Sequence, residues 1–237
     1  MNPKERLIVA LDLDSEEKAV AMAERLKNDV RFFKIGFELF SSCGPRIVER
    51  MREMGCDVFL DLKFHDIPNT VAKAAMSIMR LGVYMFNVHT LGGYDMMKNT
   101  ADAVETEAAR SGVVRPLVLG VTILTSMDEK LLKKVGINAT MKTEVLRLAR
   151  LAKDAGLDGV VASASEAKLI RQKLGKDFLI VTPGVRPSWS VAHDQKRVTT
   201  PKKAIRDGAD FIVVGRPILE AKDPAHAARE IMREMGS

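Results

Sequence analysis

Val58-Phe59-Leu60-Asp61-Leu62-Lys63-Phe64-His65-Asp66-Ile67-Pro68-Asn69-Thr70 contains a buried strand, a charged strand end and a helix start in one run. Val58-Phe59-Leu60 is an apolar segment of strand type. Side chains on a strand alternate faces, so Asp61 and Lys63 point the same way. A carboxylate and an ammonium at the end of a buried strand are costly to desolvate, which marks the pair as a candidate site. Pro68 suits the first turn of a helix, where its missing N–H has no intrahelical partner. Taken alone, Asp61 and Lys63 also read as a solvated ion pair. Whether the strand-then-helix unit recurs decides between the two.

It recurs from end to end. Strands are expected at Arg6–Leu13, Phe32–Phe37, Val58–Phe64, Met85–His89, Leu117–Leu124, Gly159–Ser163, Leu179–Pro183 and Phe211–Gly215. Helices are expected between and after them at Glu16–Lys27, Pro45–Met54, Asn69–Leu81, Tyr94–Ser111, Thr143–Ala155, Glu166–Leu174, Pro201–Asp207 and Pro224–Met235. Ser15-Glu16-Glu17 and Ser165-Glu166 place a capping hydroxyl and acids at helix starts. Gly55, Gly82, Gly112, Gly156 and Gly208 fall just after helical stretches, where a left-handed residue is wanted. The strands read as near-continuous apolar runs, as parallel strands covered by helices do. Eight β-then-α units predict an α/β fold, a closed (β/α)8 TIM barrel in one domain spanning 1–237. A doubly wound open sheet fits less well, because no Gly-x-Gly-x-x-Gly follows the first strand.

Bulk properties narrow the class. A length of 237 residues suits one such barrel, and 46% hydrophobic residues supply its core. Two cysteines, Cys43 and Cys56, are too few for a disulfide framework or a cysteine-based zinc site, and read as reduced thiols in a cytoplasmic protein. The first residues show no signal-peptide pattern, and no apolar run is long enough to span a bilayer, so no membrane partner is expected. The net charge of +6 favours an anionic ligand. Its cations are scattered among acids, as in Glu49-Arg50-Met51-Arg52-Glu53, which argues against nucleic acid.

Active sites of such barrels lie at the C-terminal ends of the strands. There the chain places Asp12, Lys34, Asp61 with Lys63, Asn87-Val88-His89-Thr90, Leu124-Thr125-Ser126, Thr182-Pro183-Gly184-Val185-Arg186-Pro187 and Val213-Val214-Gly215-Arg216-Pro217. Singly, Asp12 could cap a helix, Lys34 could snorkel, and His89 and His65 read as structural. Together the lysines and aspartates form an array of alternating charge at one barrel mouth. Loops after strands 7 and 8 often bind phosphate. Gly184 and Gly215 let backbone N–H groups approach its oxygens, Arg216 offers a fork, and Gln195 lies midway along the long segment Val185–Thr200.

The run Asp61-x-Lys63-x-x-Asp66-Ile67-Pro68-Asn69-Thr70 resembles the signature of the orotidine 5′-phosphate decarboxylase family in its bacterial form. The resemblance extends to Val9-Ala10-Leu11-Asp12, Phe33-Lys34-Ile35-Gly36, Leu124-Thr125-Ser126, Thr182-Pro183-Gly184-Val185-Arg186 and Val214-Gly215-Arg216-Pro217. It implies decarboxylation of orotidine 5′-phosphate to UMP and CO2 by a homodimer with shared active sites, using no cofactor and no metal. Lys34, Asp61, Lys63 and Asp66 would form the catalytic charge network, with Asp66 reaching into the partner's site. Asp12, Lys34 and, reaching over from the other subunit, Thr70 would bind ribose hydroxyls, Thr125 and Ser126 the pyrimidine, and Gln195, Gly215 and Arg216 the phosphate. Arg186 would contact the ligand, and Ile67 and Pro183 would join the substrate-binding positions. Removing CO2 from C6 leaves a carbanion with no ready electron sink, so Lys63 would stabilise it and then protonate it.

Two other classes fit parts of the pattern. The 3-keto-gulonate 6-phosphate decarboxylases and hexulose-phosphate synthases share D-x-K-x-x-D but use magnesium, and an acid usually stands where this chain has Lys34. A catalytically silent nucleotide-binding barrel would not need Lys63.

Overall fold

The apolar runs form parallel strands that hydrogen-bond in chain order and close on themselves. In the computed structural model, residues 3–189 and 199–236 are described. The strands are β1 (Leu7–Ala10), β2 (Phe32–Ile35), β3 (Asp57–Phe64), β4 (Met85–His89), β5 (Leu117–Val121), β6 (Gly159–Val161), β7 (Leu179–Thr182) and β8 (Phe211–Val214). The helices are α1 (Glu16–Leu26), α2 (Phe37–Cys43), α3 (Arg46–Glu53), α4 (Pro68–Met79), α5 (Gly93–Ser111), α6 (Glu129–Lys134), α7 (Met141–Asp154), α8 (Ala164–Leu174), α9 (Pro201–Arg206), α10 (Arg216–Leu219) and α11 (Pro224–Gly236). This is the (β/α)8 barrel expected from the alternation.

Strand alternation sorts the side chains into two cores. Leu7, Val9, Phe33, Ile35, Val58, Leu60, Phe86 and Val88 face outward and meet the helices in the larger apolar cluster. Ile8, Ala10, Phe32, Phe59, Met85, Leu119, Val181, Phe211 and Val213 fill the barrel interior. One pleat further along β2, β3 and β4, the inward positions turn polar at Lys34, Asp61 and Asn87. The same period that packs the interior therefore delivers charge to the mouth.

At the opposite rim the helix-to-strand turns repeat a device. Gly55-Cys56-Asp57, Gly156-Leu157-Asp158 and Gly208-Ala209-Asp210 each pair a left-handed glycine with an aspartate. Asp57 binds Arg31 and Arg52, Asp158 binds Arg115 and the Val118 N–H, and Asp210 binds Arg171 and the Ile180 N–H. These pairs lock turns to strands on the face away from the mouth.

Several boundaries differ from expectation. The first strand ends at Ala10; Leu11 still donates its N–H to Lys34 O at 2.9 Å, and Asp12 follows it to meet the Lys34 ammonium. Phe37 does not end the second strand: Gly36 turns the chain, and Phe37 opens α2. The stretch 127–141 contains α6, whose start is capped by Asp128 accepting the Leu131 N–H at 2.9 Å. Ser163, not Ser165, caps α8, its hydroxyl accepting from the Ser165 N–H at 3.4 Å. Ser15 caps α1 as expected, and all five helix-ending glycines have positive φ.

Candidate active site

β2 and β3 place three charged side chains in contact. Lys34 donates to Asp12 at 3.0 Å and lies 3.3 Å from Asp61. Asp61 in turn accepts from Lys63 Nζ at 2.8 Å. The order of charge is Asp12, Lys34, Asp61, Lys63, so every neighbour is of opposite sign. Lys34 is only 8% exposed. Burial opposes its ammonium, but Asp61 and Asp12 outweigh burial and hold its pKa above the ordinary lysine value. Gly36 makes room for this arrangement, because a Cβ there would lie 2.9 Å from Lys34 Nζ.

The pair Asp61–Lys63 sits on an irregularity. Leu60 pairs with Phe86 but Phe64 pairs with Val88, so Asp61, Leu62 and Lys63 stand opposite Asn87 alone. Lys63 takes φ 45°, the one positive φ at a non-glycine among the described residues. Such a backbone costs about 1–2 kcal/mol for an L-residue and clusters at functional sites. Asn87, fully buried, accepts the Lys63 N–H and donates to Asp61, both at 2.7 Å. The sequence placed Asn87 at the mouth but gave it no role. Its signal was an amide in the otherwise apolar run Met85-Phe86-Asn87-Val88.

These charges line one side of a cavity of about 210 Å³. Thr125, Ser126 and Pro183 line it as well, beside an apolar wall that includes Phe59, Val121, Ile123, Val161 and Val213. Lys63 Nζ also lies 5.5 Å from the centre of the Phe37 ring, a cation–π distance. His65 and His89 stack with ring centres 5.4 Å apart. Burial, then His65 and Lys63, hold His89 below the usual histidine pKa, and its Nδ1 accepts the Leu91 N–H at 3.4 Å. Burial, the stacked His65 ring and the bond to Leu91 hold the His89 ring in place at the end of β4.

The positions expected from the sequence to bind phosphate follow β7 and β8. Gly215 is packed against Asp12 and Ala10: a Cβ there would be 3.5 Å from Asp12 Oδ2. Arg216 follows at the start of α10. Gly184, with φ 75°, turns the chain after β7, and Arg186 is buried. The Arg186 N–H donates to Thr199 O at 2.9 Å, and Val185 bridges Thr199, which draws the two ends of the intervening segment together. Gln195 lies outside the described residues.

Asp66, Ile67 and Thr70 do not line this cavity. Asp66 is exposed, and its carboxylate accepts the Ile67 N–H at 2.6 Å. Ile67 is 67% exposed, and Thr70 lies exposed in the first turn of α4. Among the described residues, no group of three or more His, Cys, Asp or Glu side chains is placed to hold a metal ion.

Chemically, the site offers an ammonium at the wall of a largely apolar cavity, held by a carboxylate that a second ammonium and an amide keep in place. Such an arrangement stabilises negative charge developing on a bound carbon and can then supply a proton.

The comparisons agree with one another. Residues 5–231 match the model of the "Orotidine 5'-phosphate decarboxylase / HUMPS family". The orotidine 5′-phosphate decarboxylase of Syntrophotalea carbinolica is 54% identical over 99% of this chain and 96% of its own length. That of Geobacter sulfurreducens is 52% identical over 98% of this chain and 96% of its own. The crystal structure of orotidine 5′-phosphate decarboxylase from Lactobacillus acidophilus superposes with a TM-score of 0.86 at 40% identity, covering 98% of this chain and all of that one. This chain belongs to the orotidine 5′-phosphate decarboxylase / HUMPS family.

Proposed function

We propose that the chain is a carboxy-lyase converting orotidine 5′-phosphate to UMP and CO2, the final step of de novo pyrimidine nucleotide synthesis, with 1–237 as one catalytic domain. The observation that carries this reading is the unbroken series Asp12–Lys34–Asp61–Lys63 beside the cavity, in a chain about half identical to enzymes of that name. In the proposed mechanism the nucleotide's phosphate is held by Gly215, Arg216 and Gln195, with Arg186 close by. Asp12, Lys34 and Thr70 take the ribose hydroxyls. Thr125 and Ser126 meet the pyrimidine, and Pro183 and Ile67 pack against the ligand. Lys63 stabilises the charge left at C6 and then protonates that carbon. Asp61 faces the departing carboxylate, and binding energy gathered at the remote phosphate supports the strained step.

Asp66 and Thr70 are exposed and do not line the cavity of their own chain, and we propose a homodimer in which both reach the partner's site. The exposed Ile67, Phe37, Leu91 and Tyr94 support an interface there. The setting we propose is the cytoplasm, where the two free thiols are stable; burial pushes that of Cys56 up to about 11 and makes it unreactive. No helix among the described residues is long and apolar enough to cross a membrane. A magnesium-dependent lyase reading is disfavoured by Lys34, whose ammonium stands between Asp12 and Asp61 where a cation would need to sit.

The test is the loss of orotidine 5′-phosphate absorbance with release of UMP and CO2, with and without EDTA, for wild type and Lys63→Ala. Wild type turns over equally with EDTA, and Lys63→Ala loses at least about 1,000-fold while keeping its melting transition. Activity abolished by EDTA would favour the magnesium reading. An active Lys63→Ala protein would remove Lys63 as proton donor. A wild type that binds UMP without turnover would be the silent barrel.

A further inference from the structure

We infer that Asn87 is the positioning residue of the Asp61–Lys63 pair, an inference that rests on the reaction proposed above. Asn87 does not line the cavity, so it acts through its neighbours. The slip between β3 and β4 leaves the Lys63 N–H without a strand carbonyl, and the side chain of Asn87 substitutes for one. The amide orientation follows from its partners. A backbone N–H can bond only to Oδ1 and a carboxylate can accept only from Nδ2, and both bonds are 2.7 Å.

Each bond sets one thing. The first holds the left-handed backbone of Lys63, which aims its side chain. The second fixes the rotation of the Asp61 carboxylate. Asp61 Oδ1 then receives both Asn87 and Lys63 Nζ, while Oδ2 is left to Lys34. Without the amide the carboxylate could rotate and exchange its two lysines. The charged and titratable groups near Asn87 are Asp61 and Lys63 from β3, Lys34 from β2 behind Asp61, and His89 further along β4; on β5 its partner is apolar Leu119.

Two near-isosteric variants test this. Asn87→Leu keeps the branched shape and heavy-atom count of the side chain and removes both bonds. Asn87→Asp keeps an acceptor for the Lys63 N–H but donates to Asp61 only while protonated. Contact with Asp61 holds the introduced carboxyl protonated to a higher pH than an ordinary aspartate. Turnover of orotidine 5′-phosphate is measured against pH, with UMP binding by calorimetry and thermal melting as fold readouts. Asn87→Leu should bind UMP within about 3-fold of wild type, keep KM within a similar factor and lose about 100-fold in kcat. Asn87→Asp should work best on the acid side and lose about 10-fold or more toward neutral pH, where wild type does not fall.

A kcat for Asn87→Leu within about 3-fold of wild type overturns the inference, as does an Asn87→Asp profile parallel to wild type. If Asn87→Leu fails to melt cooperatively or bind UMP, the Asn87→Asp profile decides alone. If neither variant folds, Asn87 holds the barrel rather than the site and the inference falls. Wild-type turnover is measured first: its absence sinks the proposed reaction, whereas active wild type with an equally active Asn87→Leu protein sinks only the role of Asn87.

Discussion

Lys34 shows how one side chain couples stability to the site. Its neighbours raise its pKa, so folding holds its proton more tightly than the unfolded chain does. The stabilisation is fully present below the ordinary lysine value of 10.5 and is lost as pH rises through the higher folded value. Lys34→Met keeps the apolar stem and removes the charge. Its urea midpoint should therefore sit below wild type at neutral pH, and the gap should narrow only above about pH 10.5. Turnover should fall by about 100-fold or more, because Asp61 loses the cation on Oδ2. A gap that stays constant from about pH 9 to about pH 12 would show that Lys34 contributes nothing through its charge.

At the scale of elements, β6 is the tightest fit. A Cβ on Gly159 would lie 2.4 Å from Leu179 O, a backbone atom that cannot swing aside. Gly159→Ala should destabilise the barrel by about 1–3 kcal/mol in urea unfolding, with β6 and β7 forced apart. The eight strands and most helices were legible because parallel strands are apolar throughout and the glycines mark helix ends. The helix α2, Phe37–Cys43, escaped because so short an element shows no full 3.6-residue period. The cap of α8 was misread because Ser163 and Ser165 have equal capping preference, and only the backbone path tells them apart. Asn87 was not singled out because its importance comes from register, and pairing register is invisible in one strand's sequence.

Across the whole molecule, one rim secures the barrel and the other presents the charges. Asp66, Ile67 and Thr70 were readable as a motif, but they do not line the cavity of their own chain. In the dimer we propose, Ile67→Glu should convert dimers to monomers in sedimentation and lower turnover about 10-fold or more, while each monomer still melts cooperatively. A monomeric wild type of full activity would refute the shared site. The slip beside Asn87 has a further consequence for how this fold can change over time. A closed barrel has no free edge to absorb a shift, so the pairing of Phe59 with Met85 below the slip must stay in register with the rest of the ring. Above it, the segment gains length while Asp61 and Lys63 keep the inward face, because the excess is an even number of residues. Descendants of this chain can therefore lengthen or trim that segment only by pairs; a single inserted residue would turn the acid and the lysine outward and bring Leu62 into the cavity.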